Sequence, residues 1–341
     1  MFALELPLWF EVGSLIVLTL ILLADVLLIF KRPHIPSMRE ATLWVVFYAV
    51  LAIIFGLAIG FFADWEHAGQ FYAGWLTEYS LSIDNLFVFV IIMSRFAVPR
   101  KYQQEVLVVG IIMALILRGI FIVVGAALIV SFSWIFYLFG AFLLYTAYHQ
   151  AFRSHEQEEE TENKLISWLR KRISMSPDFD GANIRTTYNG KRMFTPMLVV
   201  FITIALTDVL FAFDSIPAIF GITTSPFIVF TANVFALMGL RQLYFLLGGL
   251  LEKLEYLKYG IAFILGFIGV KLVLHAMHEN TLPFINGGQH IEWAPDISTM
   301  TSLLVIVLSM AIAAIASVIK MRRDEAAKAV SESAGSEPVE Q

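Results

Sequence analysis

Cysteine is absent from all 341 residues, which excludes disulfides, thiolate metal centres and thiol redox chemistry and leaves ion binding to oxygen and nitrogen donors. Such donors favour hard cations. Charge is also scarce: Asp, Glu, Lys and Arg make up 15% of the chain against 59% hydrophobic residues, with a mean hydropathy of +0.78. That balance excludes a water-soluble core of ordinary composition. The net charge of −5 is modest and comes partly from polar tails, so nothing about nucleic-acid or acidic partners follows from it, and no nucleic-acid partner is expected. Nothing resembles a nucleophile and base pair, a phosphate loop or a zinc-protease motif, so no enzyme is expected. The opening residues lack a positive segment and a small-residue cleavage site, and the first helix is read as retained.

What is there reads as membrane. A spanning helix needs about 20 apolar residues. Nine stretches qualify: 8 to 30, 41 to 62, 72 to 95, 105 to 130, 132 to 152, 196 to 220, 226 to 250, 257 to 278 and 299 to 320. The sequence thus predicts an all-α polytopic membrane protein with about nine transmembrane helices. Lys and Arg alternate between loops: "KRPHIPSMRE" is basic and "ADWEHAGQ" has neither, while residues 153 to 193 hold eight and residues 276 to 298 hold none. Cytoplasmic loops carry the excess, which sets the amino terminus outside, the carboxyl terminus in the cytoplasm and the chain in an inner or plasma membrane.

The predicted organisation is two helices within residues 1 to 70, a three-helix unit over 71 to 152 and a cytoplasmic loop over 153 to 193. A second unit follows over 194 to 278, then an extracytoplasmic loop over 279 to 298, a ninth helix over 299 to 320 and a disordered tail over 321 to 341. In the long loop, "HEQEEETE" reads as a solvated connector, "LISWLRKRI" as an interfacial segment and Asn189-Gly190 as a hairpin turn.

The two units echo each other. Glu78-x5-Asp84-Asn85 matches Asp208-x5-Asp214-Ser215, 130 residues later, and Arg118 and Arg241 each precede a glycine, Gly125 and Gly248, by seven residues. The first copy starts outside and the second inside, so the units form an inverted-topology repeat. Secondary transporters are built this way, with a site near the midplane where the repeats meet.

Away from the last few residues at each end, eight ionisable side chains fall inside predicted spans: Asp25, Glu78, Asp84, Arg118, Asp208, Asp214, Arg241 and Lys271. On the insertion scale they oppose stability by about 20 kcal/mol together, before pairing or water relieves them. Five acids against three bases leave two acids without a fixed counter-charge, which a divalent cation could supply, although Asp25 and Lys271 can snorkel. The structural alternative is that Arg118 and Arg241 pair with the acids and pin helices together.

Six residues separate Glu78 and Asp84 by about 120° around a helix and about 9 Å along it, so one ion does not readily touch both. The inverted symmetry instead predicts that Asp84 and Asp214 meet across the midplane beside Asn85 and Ser215. Glu78 and Asp208 then flank that site as gate, second site or proton carrier. Pro217 denies the Phe213 carbonyl its helical donor, which makes that oxygen a candidate ligand; the plain reading of Pro217 is a kink. Asn233 is a secondary candidate, as ligand or interhelical hydrogen bond, and so is Asp25. Oxygen donors of this kind suit Mn²⁺, Ca²⁺ or Mg²⁺. His149 and His275 lie near helix ends and are assigned no chemistry.

"EYSLSIDNLFVF", "TDVLFAFDSIPAIFGITTSPFIVFTANVFALMGLRQLYFLL", "YLKYGIAFILGFIGVKL" and "LLADVLL" resemble the TerC/Alx family of integral membrane proteins, and the resemblance covers almost the whole chain. It implies membership of the lysine exporter superfamily, manganese export from the cytoplasm for the Alx-like branch, and the tellurium-resistance name given to relatives. The family's acidic motifs fall on Glu78, Asp84 and Asn85 and on Asp208, Asp214 and Ser215. Some members carry another glutamate shortly before the second motif, where this chain reads "FITIALTD" with Ala205, so that acid is not carried over.

Residues and resemblance together predict an exporter of a divalent cation, Mn²⁺ ahead of Ca²⁺ or Mg²⁺, with no permanently bound cofactor. Alternating access would move the ion, with proton antiport as the economical coupling. The expected partners are the lipid bilayer, the metal cation and protons; the oligomeric state is not legible. Two alternatives stay open: a non-transporting scaffold of a metal or tellurite stress complex, and an exporter of an amino acid or other small solute held by Arg118 and Arg241.

Overall fold

The computed structural model describes residues 6–31, 37–132, 134–152, 175–188, 190–247, 256–280, 282–283, 285–291, 293–295 and 297–335. Helices dominate: α1 (Leu8–Lys31), α2 (Met38–Phe62), α3 (Trp65–Arg95), α4 (Arg100–Ser131), α5 (Ile135–Phe152), α6 (Pro196–Phe220), α7 (Pro226–Leu237), α8 (Leu240–Leu247), α9 (Leu257–His278) and α10 (Thr299–Gly335). Among the described residues, seven helical stretches are long and apolar enough to cross a membrane: α2, α3, α4, α6, α7 continued through α8, α9 and α10. The apolar part of α1 described with its side chains is shorter, Leu8–Ala24, and α5 has 18 residues, about 27 Å of helix.

Local chemistry fixes the helix ends. Ser37 caps α2 by accepting from the Glu40 amide, and Asp64 caps α3 by accepting from the His67 amide at 2.8 Å. That cap starts α3 at Trp65, seven residues before the predicted apolar run, because polar first-turn residues belong to the helix without adding to its hydropathy. Partial burial pushes the Asp64 carboxyl up, but its bonds from His67 outweigh this and hold it below the ordinary carboxylate value. The cap's contribution is therefore present above the usual carboxylate range and is lost only as pH falls through the lowered value. Pro196 and Pro226 occupy the first turns of α6 and α7, where a missing amide costs nothing.

The predicted seventh span, 226 to 250, is two helices. Gly239 adopts φ +81° between α7 and α8, and a Cβ there would stand 3.1 Å from the Tyr48 ring of α2. Only glycine takes that backbone angle freely. The other departure is at the end of the chain, where α10 continues to Gly335 through residues predicted to be a disordered tail. "RRDEAAKAV" is rich in strong helix formers and has no proline. In the long loop, β1 (Arg185–Tyr188) and β2 (Lys191–Phe194) pair antiparallel with Tyr188 opposite Lys191, around the predicted turn, whose Gly190 has φ +77°. The acidic run and the "LISWLRKRI" segment lie outside the described residues.

Packing sets the architecture around the middle of the bundle. α3 packs on α7 as α4 packs on α6, and α5 runs along α9. Outward faces of α1, α2 and α10 stay apolar and exposed, as at Leu20, Leu43 and Ile312, the surface that lipid solvates. α5 and α9 approach most closely through glycine: a Cβ at Gly140 would fall 2.9 Å from the Gly269 carbonyl oxygen and 2.6 Å from Val273. Small residues of this kind let membrane helices meet backbone to backbone. Gly140→Val is expected to lower unfolding stability by about 1–3 kcal/mol in a detergent melt. Gly13→Ala, where an added Cβ meets nothing within 4 Å, should leave the melt unchanged or slightly raised.

Candidate functional site

α6 is 25 residues long and Asp208 is its central residue, so this carboxylate sits as far from either end as the helix allows. One face of α6 carries the exposed Leu206, Leu210 and Phe213, whereas Asp208 and Ser215 are buried. α3 brings Glu78 and Asn85 to the same interior, α4 brings Arg118 and α7 brings Asn233. The result is a dry cluster of charge: Glu78 is 0%, Arg118 1% and Asp208 2% exposed.

Arg118 organises it. Its Nη1 donates to Glu78 Oε2 at 2.5 Å and to Asn233 Oδ1 at 3.0 Å. Its Nε faces Asp208 Oδ1 at the longer distance of 3.9 Å. With the Asn85 amide oriented to satisfy both of its ends, the oxygen accepts from Arg118 Nη2 at 3.0 Å and the nitrogen donates to the Leu81 carbonyl at 3.0 Å. Ser215 lies against the Glu78 carboxylate. Two carboxylates share one guanidinium, so the fully ionised cluster has a net charge of −1. Among the described residues, Glu78 Oε1, Asp208 Oδ2 and Asn233 Nδ2 have no hydrogen-bond partner, an arrangement that buried polar groups rarely keep without a ligand, proton or water.

Asp214 faces α5, where its Oδ1 accepts from Thr146 Oγ1 at 3.1 Å; six residues of helix turn it about 120° from Asp208. The expected meeting of Asp84 and Asp214 falls on the Asp84 side chain, which lies outside the described residues, as does that of Asp25. Glu78 and Asp208, expected at the flanks, occupy the centre of the buried cluster. Phe213 is half exposed with its ring against Phe121, and α6 continues through Pro217 to Phe220. Arg241 is in the first turn of α8, just past the break at Gly239. Asn233 takes the hydrogen-bonding role, to Arg118.

Sequence reasoning passed over three groups. Thr146 is the one threonine or serine in an apolar helix, the only signal it gave. Gln70 and Thr223 sit at helix ends and join across 153 residues, Thr223 Oγ1 donating to Gln70 Oε1 at 2.6 Å. Both line a cavity of about 820 Å³ that also touches His67, Lys271, His275 and Glu279, at the end of the bundle that the loop charges assign to the outside. Among the described residues, no group of three or more His, Asp or Glu side chains is arranged to hold a metal ion.

Removing one partner from a buried ion pair strands the other charge at a cost of about 3–5 kcal/mol. Arg118→Met, which strands two carboxylates, is expected to destabilise the protein by at least that amount in a detergent melt. Glu78→Met combined with Arg118→Met should recover part of the loss, since fewer charges are then left uncompensated.

Residues 63–325 match the integral membrane protein TerC family. An uncharacterized membrane protein of Mycobacterium tuberculosis is 46% identical over 304 residues, covering 86% of this chain and 76% of that protein. A protein of Escherichia coli K12 named for a candidate role as membrane-bound redox modulator, Alx, is 42% identical over 273 residues, 77% of this chain and 84% of its own length. An uncharacterized membrane protein of Myxococcus xanthus is 41% identical over 244 residues, 72% of this chain and 76% of that protein. No solved structure matches the chain. With a family match over most of its length and relatives above 40% identity, this chain belongs to the TerC family of multi-pass integral membrane proteins.

Proposed function

We propose that this TerC-family protein is a transporter that exports a divalent cation, Mn²⁺ ahead of Ca²⁺ or Mg²⁺, by alternating access between two inverted three-helix repeats within nine crossings. The observation that carries the proposal is the buried cluster of two carboxyl groups and one guanidinium at the midpoint of α6, with carboxylate oxygens that have no partner among the described residues. Acids that outnumber the base they face in a dry interior take up a cation or a proton. The packing supports the repeat: exchanging α3 with α6, α4 with α7 and α5 with α9 turns the α3–α7 contact into the α6–α4 contact and leaves α5–α9 unchanged. The α7–α8 break has the character of the discontinuous helices found at transporter sites.

The donors around the cluster are carboxylate, amide and hydroxyl, with neither thiolate nor imidazole among them, and this set favours Mn²⁺, Mg²⁺ or Ca²⁺ over softer ions. Asp84 and Asp214 remain the proposed coordinating pair, with Glu78 and Asp208 supplying the field behind them. Expelling a dication against an inside-negative potential costs about 2.3 kcal/mol per charge per 100 mV, so inward proton movement is the proposed coupling. An amino-acid substrate is less well supported, because Glu78, Asn233 and Asn85 already engage the Arg118 guanidinium that would bind its carboxylate. The redox role in the name of the Escherichia coli relative has no thiol route here, since the sequence contains no cysteine.

Flux into proteoliposomes of known orientation tests the proposal, with Mn²⁺, Ca²⁺, Mg²⁺ and Zn²⁺ presented with and without a proton gradient. Mn²⁺ flux that rises with an opposing proton gradient and falls at least tenfold in folded Asp214→Asn is the expected result. Binding without flux of any cation would sink transport and leave the Arg118 cluster as the pin of a membrane scaffold.

A further inference from the structure

The cavity among the helix ends and the buried cluster are separated by a short seal. Gln70 on α3 and Thr223 after α6 both line the cavity and are joined by their 2.6 Å hydrogen bond. Eight residues along α3 from Gln70 comes Glu78, and eight residues back along the chain from Thr223 comes Ser215, which lies against Glu78. The two levels are therefore about 12 Å apart along the helices. Midway between them, Gly74 of α3 meets Ile219 of α6: a Cβ built on Gly74 would stand 3.2 Å from Ile219 Cδ1 and 3.5 Å from Ala232 Cβ of α7. The neighbours on this seam are small, Ala73 and Ala218, both wholly buried. One helical turn beyond Gly74 toward the cluster stands Thr77, 0% exposed, whose hydroxyl has no partner among the described residues.

The opposite side of the cluster is closed differently. Leu86, Phe89, Ile92 and Met93 of α3 pack with Phe201 and Ile204 of α6 and Leu243 of α8 in one buried apolar cluster. Tyr244 Oη donates to Gln103 Oε1 at 3.1 Å across that end. Large side chains fill that path through two turns of α3, whereas on the cavity side Ile219 bears directly on Gly74, with Ala232 beside it and Phe71, Ile216 and Phe220 in the same buried cluster.

We propose that Ile219, seated on Gly74, is the gate between the buried carboxylates and the cavity, and that the transported cation leaves through it into that cavity. The inference rests on the transport reading for the identity of what passes, but the gate itself is a matter of access. A rotamer change or a small parting of α3 from α6 at this point connects Thr77 to the cavity, with the Gln70–Thr223 bond as the latch above it.

The chain contains no cysteine, so one introduced thiol is the only target for a membrane-impermeant maleimide. Thr77→Cys, reconstituted in one orientation and labelled from the cavity side, is expected to react slowly, and at least tenfold faster when Ile219→Ala is added. Thr224→Cys, a partly exposed position in the cavity wall, should react rapidly in both backgrounds. Unchanged labelling of Thr77→Cys on adding Ile219→Ala overturns the gate, as does labelling from the opposite side alone. Ser215→Cys, on the facing helix, supplies the same comparison if Thr77→Cys does not fold. Because labelling requires no transported ion, loss of Mn²⁺ flux would refute the transport reading without touching this result, and the converse holds.

Discussion

A guanidinium with almost no access to solvent holds the middle of this molecule together. Arg118 could not be buried alone, since a lone charge in that environment costs several kcal/mol. Its stability there depends on Glu78, Asn233 and Asn85 arriving from α3 and α7 with the right geometry. The same dependence runs the other way, because Glu78 and Asp208 share that one counter-charge. Helices far apart in sequence are thus registered against each other by a few polar contacts, while the surrounding apolar packing, largely interchangeable with lipid, specifies position only loosely.

This arrangement gives the site an internal tension. Among the described contacts of this cluster, two acids face one base. Asp208, at 3.9 Å from Arg118, is held more loosely than Glu78 at 2.5 Å. A cluster tuned to neutrality would be a rigid brace; one left negative has a standing affinity for a small cation or a proton.

Much of the architecture was legible because lipid imposes a simple rule on length and polarity. Where polar residues belong to a helix, as in the first turns of α3, or a helix former continues past the last apolar residue, as after Ile319, hydropathy alone stops short. The break at Gly239 was hidden because an isolated glycine reads the same in a continuous membrane helix as at a bend. At the site, the intramembrane charges were visible by their expense, and Asn233 by its isolation. Their grouping was not, since spacing gives the angle between two residues on one helix but not the direction of either relative to a neighbour. That is why Glu78 and Asp208 stand at the centre of the observed cluster while Asp214 turns to Thr146 on α5.

The length of α10 carries a consequence of its own. Its 37 residues make a rod of about 55 Å, nearly twice the roughly 30 Å of hydrocarbon it has to cross. Charge begins at Lys320 and thickens through Arg322, Arg323, Asp324 and Glu325, so the apolar half is fixed in lipid and the surplus, on the order of 20 Å, must stand in water. On that side α10 therefore carries on past the lipid as a helix instead of ending at the membrane surface.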